Sequence, residues 1–207
     1  MGGVNVFEIM LKPAAAIAAA KKEKNLGKTF VMLLVASIVA AVSMLFIMRF
    51  STESVLVAIL TLVGAFVGSI VFAFLVKKFM WIMAKKATFF DALTMITFGL
   101  FIMSWAYLIG GIIGLIPYIG YWLSGLILLF AFVLANAVML KAGMDYFECD
   151  LLTIIIALAV VYIGVFSAVY FAVFQVAMAS FGALTGGVFS GAAGGTAPGL
   201  PGGSFPY

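Results

Sequence analysis

The chain has 207 residues, 67% of them hydrophobic and only 9% charged, with a mean hydropathy of +1.34; an ordinary soluble domain carries about 25% charged residues. Folded in water it would expose apolar patches far larger than a soluble monomer tolerates, so the composition specifies an all-α, polytopic integral membrane protein. The net charge of +4 comes without a basic, aromatic-interleaved module, which excludes nucleic-acid binding. No histidine and one cysteine, Cys149, remove the commonest general base, the commonest metal ligand and any intrachain disulfide.

Residues 5–28 are expected to form a cytoplasmic helical segment at the bilayer surface. Asn5 and Glu8 have capping-box spacing, and Phe7, Met10, Leu11, Ala14 and Ile17 fall on one helical face. Pro13 divides the segment, since its missing N–H is tolerated only at a helix start. Lys12, Lys21, Lys22, Lys24 and Lys28 gather toward its distal end, a rim suited to an anionic headgroup layer; the alternative is a solvated lead-in to the first span. Glu8, Pro13 and the lysines leave no charge-free core for a cleavable signal peptide, so the first span is expected to direct insertion itself.

About 20 apolar residues cross a hydrocarbon core of roughly 30 Å. The expected membrane domain, 29–181, holds five such spans. The first is Thr29 to Met48, closed by Arg49. The second is Ser54 to Val76, its helix continuing through Lys77, Lys78, Trp81, Lys85 and Lys86, where ammonium groups snorkel to water. Thr88 and Asp91 have capping-box spacing, so the third helix starts near Phe89. It runs to about Ile116, before Pro117 in the breaker-rich hairpin Gly114 to Gly120. The fourth is Tyr121 to Leu140, followed by a hydrophilic turn with Lys141, Asp145, Glu148 and Asp150. The fifth runs from Leu151 to about Phe181, longer than a bilayer requires. Residues 182–207 are rich in Gly, Ala, Ser, Thr and Pro without charge, the composition of a flexible tail; docking of that tail through Phe205 and Tyr207 is the alternative.

With the N-terminus inside, cytoplasmic segments hold ten of the 11 basic residues and Arg49 alone lies outside. The positive-inside rule therefore orients the chain N-in and C-out, in the cell membrane.

No carboxylate falls in the centre of any expected span, where a proton- or ion-coupled transporter places one. The amides Asn136 and Gln175 and hydroxyls such as Ser37, Ser43, Ser69, Thr97, Ser104 and Ser124 are expected to bond between helices, at about 0.6 kcal/mol per contact. Asp145, Glu148, Cys149 and Asp150 read as a solvated acidic turn rather than a metal site. Gly64 with Gly68, and Gly110 with Gly114, form small-residue faces that allow close helix approach; packing within the chain is the first expectation and a homo-oligomer seam the second.

The order of features resembles the Yip domain family. It has a Lys12-Pro13 lead-in, the stretch Lys85-Lys86-Ala87-Thr88-Phe89-Phe90-Asp91-Ala92-Leu93, a long third helix reaching Gly114-Leu-Ile-Pro117-Tyr-Ile-Gly120, and two further spans. The resemblance covers roughly residues 5–180 and implies the five-span fold of that family's short prokaryotic or archaeal branch. The acidic-Leu-Tyr-Gly-Pro signature with which eukaryotic members engage partners is absent from the sequence, so their Rab-type GTPase binding is not implied.

The function expected is that of a non-enzymatic scaffold, adaptor or accessory subunit without a cofactor. Its partners would be membrane lipids, through Lys21, Lys22, Lys24, Lys77, Lys78, Lys85 and Lys86 on the anionic inner leaflet, and other membrane proteins or a second copy. A small transporter or channel for a neutral or amphipathic solute, lined by Asn136 and Gln175, is the alternative. Hydroxyl chemistry with no base to activate it argues against an intramembrane enzyme.

Overall fold

A computed structural model describes residues 12–84, 87–168, 170 and 171, and among these the chain is helical with no strand. A short helix α1 (Pro13–Glu23) precedes α2 (Leu26–Ile47), α3 (Thr52–Ala84), α4 (Phe89–Ile113) and α5 (Ile119–Phe147), and α6 covers Leu151–Ala168. Helices α2 to α6 are each long and apolar enough to cross a membrane, the five expected. By its internal contacts the chain divides into residues Met1–Val161 and Tyr162–Tyr207. Every described residue of the second unit is helical.

The helix ends follow from local chemistry. Pro13 sits in the first turn of α1, where its missing N–H costs nothing. Lys24 ends the helix in a left-handed conformation, its N–H donating to Ala20 O. Asn25 then caps α2, its Oδ1 accepting the Lys28 N–H at 3.1 Å. The first span thus begins three residues before Thr29, its expected start, because an Asn cap satisfies one of the orphan donors of a helix start. Helix α3 continues through Lys77, Lys78 and Trp81 as expected. At 33 residues it is about 50 Å long, well beyond the hydrocarbon thickness.

Thr88 caps α4 through the Asp91 N–H at 3.2 Å, but Asp91 does not complete the expected box. Its carboxylate instead accepts the Thr88 hydroxyl at 2.6 Å. Asp is one methylene shorter than the Glu of a capping box, which shortens its reach toward the cap's backbone N–H.

Two expected boundaries move. Helix α4 ends at Ile113 with Gly114 as its cap, three residues short of Ile116. Helix α5 runs to Phe147 rather than Leu140, so Lys141 and Asp145 lie on a helix and not in a turn. The extension stays amphipathic: Lys141 and Asp145 pair one turn apart at 2.9 Å on the exposed side, while Ala142, Gly143, Tyr146 and Phe147 are buried. The acidic turn contracts to Glu148–Asp150. Asp150 closes it by capping α6, its carboxylate accepting the Thr153 N–H at 3.2 Å and the Thr153 hydroxyl.

Helix α4 is the most buried of the five long helices and the least apolar, and α3 is the least buried. An unbroken run from Asp91 to Gly99 is buried, followed by Phe101, Ile102, Ser104, Ala106, Gly110 and Gly111. Helices α2, α3 and α5 all pack on α4, and α1 packs on α5. The first turns of α6 add Ile154, Ala157, Leu158 and Val161 at helical spacing, all buried. Ile154 meets α4 and α5 at Gly143, where an added Cβ would lie 3.1 Å from both Ile154 Cδ1 and Met95 Sδ.

Glycine marks the close approaches. A Cβ at Gly111 would crowd Phe46 and Ile47 of α2, and one at Gly110 would lie 3.0 Å from the Ser124 hydroxyl of α5. Gly110 thus packs within the chain, as expected, and Gly114 lies beside it, 3.9 Å from Ser124 Cβ on the same measure. Gly64 and Gly68 do not pack so: a Cβ at either meets nothing within 4 Å among the described residues. In the α4–α5 hairpin the positive φ falls on Tyr118, at 61°, and not on a glycine. Gly120 serves proximity instead, since a Cβ there would overlap the Ile113 carbonyl oxygen.

These contacts predict opposite responses to one added methyl group. Gly120→Ala must displace backbone and is expected to cost about 1–3 kcal/mol, lowering the unfolding midpoint in detergent. Gly64→Ala fills open space on a helix and is expected to be neutral or stabilising by up to about 1 kcal/mol. Thermal unfolding of the two variants beside the unmodified chain measures both.

Candidate amphipathic groove at the corner of α1, α2 and α4

Helix α1 is a packed element. Ala16 and Ile17 are each 1% exposed, and the Tyr146 hydroxyl of α5 donates to Ile17 O at 3.2 Å. Lys21 Nζ donates to Asp145 O and stands 3.8 Å from Glu148 Oε1. Burying a narrow strip and fixing one ammonium group therefore holds α1 against the end of α5. Ala14, expected on the same apolar face, is exposed. The docking also brings the N-terminal helix and the 148–150 turn to the same end of the bundle.

This placement opens a cavity of about 570 Å³ between α1, α2 and α4, within the range of small-molecule sites. Ala20 and Glu23 of α1 form one rim. Asn25, Lys28, Val31, Met32 and Val35 descend along α2, and Phe90, Thr94, Thr97 and Phe98 line one face of α4. From Asn25 to Val35 the groove follows α2 for about 15 Å, half the hydrocarbon thickness.

Its two ends differ in chemistry. At the mouth Lys28 Nζ pairs with Glu23 Oε2 at 2.5 Å. Further in, the hydroxyls are committed to protein acceptors: Thr97 donates to Leu93 O at 2.7 Å, and Thr29 to Asn25 O at 3.3 Å. The Thr29 and Thr94 oxygens lie 3.3 Å apart. A hydroxyl has one proton, so with Thr29 donating to Asn25 it is Thr94 that donates across the helices. The deeper wall therefore offers methyl groups, aromatic rings and aliphatic chains. Val31, 63% exposed, opens that end to the outer surface of the bundle, beside exposed Leu34, Val35 and Ile38.

Of the residues singled out in sequence, Lys21 is engaged by α5, while Lys22 and Lys24 are exposed nearby and do not line the groove. Lys77 and Lys78 lie on α3, with Lys78 Nζ 5.5 Å from the centre of the Phe74 ring. Asn136 does not join helices as expected; its amide donates to Phe132 O of its own helix at 2.8 Å. Ser37, Ser43, Thr97 and Ser104 likewise donate within their own helices. A carbonyl three or four residues back is the nearest acceptor to a helical hydroxyl, and Thr29–Thr94 is the exception. Lys85, Lys86, Gln175, the pair Asn5 and Glu8, and the 182–207 tail lie outside the described residues.

The groove residues Glu23, Asn25, Thr29 and Thr94 and the anchor Tyr146 were not expected from sequence. Asn25 had a readable signal, an N-cap residue immediately before an apolar run; the others are assembled only by the docking of α1. Cys149 lies in the turn with its thiol held above the ordinary range by burial and by the neighbouring Asp150. Asp150, held ionised by the Thr153 hydroxyl and N–H, sits below the usual carboxylate range.

No family model matches the chain, and no curated protein or solved structure matches it.

Proposed function

We propose that the chain is a non-enzymatic, multi-pass protein of the cell membrane, Yip-like in type, that organises lipids and neighbouring membrane proteins as a scaffold, adaptor or accessory subunit. The observation that carries this reading is the groove: polar at a mouth beside exposed lysines, apolar within, and open to the outer surface of α2. Such a site suits an amphipathic molecule held in place. Lys22, Lys24, Lys77 and Lys78 supply a cationic surface at the same end of the bundle, each worth about 1 kcal/mol beside anionic lipid. The order of features shared with the Yip domain family supports the same reading, and the lysine asymmetry supports a cytoplasmic N-terminus and an extracytoplasmic C-terminus.

Extraction of the complete chain in mild detergent, followed by mass spectrometry, is expected to recover it with bound phospholipid or membrane-protein companions. A lone monomer free of both would overturn the proposal.

Cys149 tests the orientation. Only its thiolate reacts with a maleimide, and its raised pKa keeps the thiol protonated further into the alkaline range than a free cysteine. Labelling is therefore slow and accelerates as pH rises, and Asp150→Asn speeds it by removing the neighbouring negative charge. A membrane-impermeant maleimide should label inverted vesicles and spare intact cells; labelling of intact cells alone would reverse the topology.

A further inference from the structure

We infer that the groove between α1, α2 and α4 holds one zwitterionic phospholipid, with its headgroup on the Glu23–Lys28 pair and one hydrocarbon chain along Val31, Val35 and Phe98. The inference rests on the lipid-organising reading above and names the ligand class. Three features of the site carry it.

The first is charge. The mouth presents one carboxylate and one ammonium group 2.5 Å apart, both partly exposed to solvent. A headgroup containing a phosphate and a primary ammonium can lie antiparallel to that pair, phosphate on Lys28 and ammonium on Glu23, so that each charge gains a neighbour of opposite sign. A headgroup with phosphate alone must either face Glu23 or separate it from Lys28. The ion pair therefore discriminates by an unfavourable contact as well as a favourable one. Lys21 is withdrawn by Asp145 and Glu148, and Lys22 and Lys24, though exposed nearby, do not line the groove, which leaves Lys28 as the cation on its wall.

The second is the state of the inner hydroxyls. Thr29, Thr94 and Thr97 lie on the wall, yet their protons have acceptors in the protein. A polyhydroxylated or peptide ligand entering that part would find no free hydroxyl proton on these three threonines and would leave its own acceptors there unsatisfied. A hydrocarbon chain has none to satisfy.

The third is position. The groove begins at the caps of α2 and α4, where charged residues cluster, and descends about 15 Å, the depth of one leaflet. It opens beside Val31 and Leu34 on a surface that faces lipid in a five-span bundle. A lipid can thus enter sideways from its own leaflet without leaving the bilayer.

The test titrates the delipidated complete chain in detergent with phosphatidylethanolamine or phosphatidylglycerol of matched chains, counting bound lipids by native mass spectrometry. One phosphatidylethanolamine per chain is expected to bind about tenfold more tightly than phosphatidylglycerol, a difference of about 1.4 kcal/mol. Glu23→Gln, a change at the exposed mouth, should bring the two within about twofold. Val31→Trp, which occupies the groove from its open side, should weaken both without lowering the unfolding midpoint. Equal or tighter phosphatidylglycerol binding would overturn the zwitterionic assignment while leaving the lipid-organising proposal standing. Binding untouched by Val31→Trp would overturn the groove as its place. Absence of any bound lipid, or a second copy of the chain bound through the groove instead, would overturn the inference; a lipid-free, partner-free monomer would remove the functional reading with it.

Discussion

The enclosure of α4 is the constraint on which the bundle depends. In a bilayer there is no gain from hiding one apolar side chain behind another, because lipid is as apolar as leucine; helices associate through close packing and a few polar contacts. Helix α4 meets this condition with small residues where backbones converge, Gly99, Gly110 and Gly111, and with the hydroxyls of Thr94, Thr97 and Ser104 turned inward. Its greater polarity is thus the signature of its interior place. Helix α3, nearly uniformly apolar and largely exposed, is the opposite case.

The polar end of the bundle follows from that arrangement. Thr88 and Asp91 start α4 beside the start of α2, and the Thr29–Thr94 contact holds the two together just inside. Extension of α5 past its apolar stretch places Tyr146, Asp145 and Glu148 where α1 can reach them. Helix α1 then forms the third wall of the groove. A Pro start and a left-handed Lys24 end fix its length, and two residues separate it from α2. The groove therefore depends on how α1 docks rather than on any single side chain within it.

The number of spans and their approximate limits were legible because apolar length is a one-dimensional property that sequence carries directly. Pro13 as a helix start and Thr88 as a cap were legible for the same reason: each acts within its own turn. Legibility failed where outcome depended on a distant partner. The α5 extension through Lys141 and Asp145 looks like a turn by charge alone, and becomes helix because Ala142, Tyr146 and Phe147 find a buried face. Gly64 and Gly68 have the same spacing as Gly110 and Gly114, yet spacing does not say whether a neighbouring helix stands opposite. Glu23 and Thr94 lie 71 residues apart in the chain and share a groove only because α1 turns back onto α5.

Zero-length cross-linking tests that return of α1 in native membranes. A carbodiimide joins an amine to a carboxylate only when the two touch. Lys28 with Glu23, neighbours along the chain, provides the local reference at 2.5 Å, and Lys21 with Glu148, at 3.8 Å, provides the long-range pair. The docked α1 predicts that peptides bearing a Lys21–Glu148 bond appear alongside those bearing Lys28–Glu23. Recovery of the Lys28–Glu23 product alone would contradict a docked α1, and with it the groove.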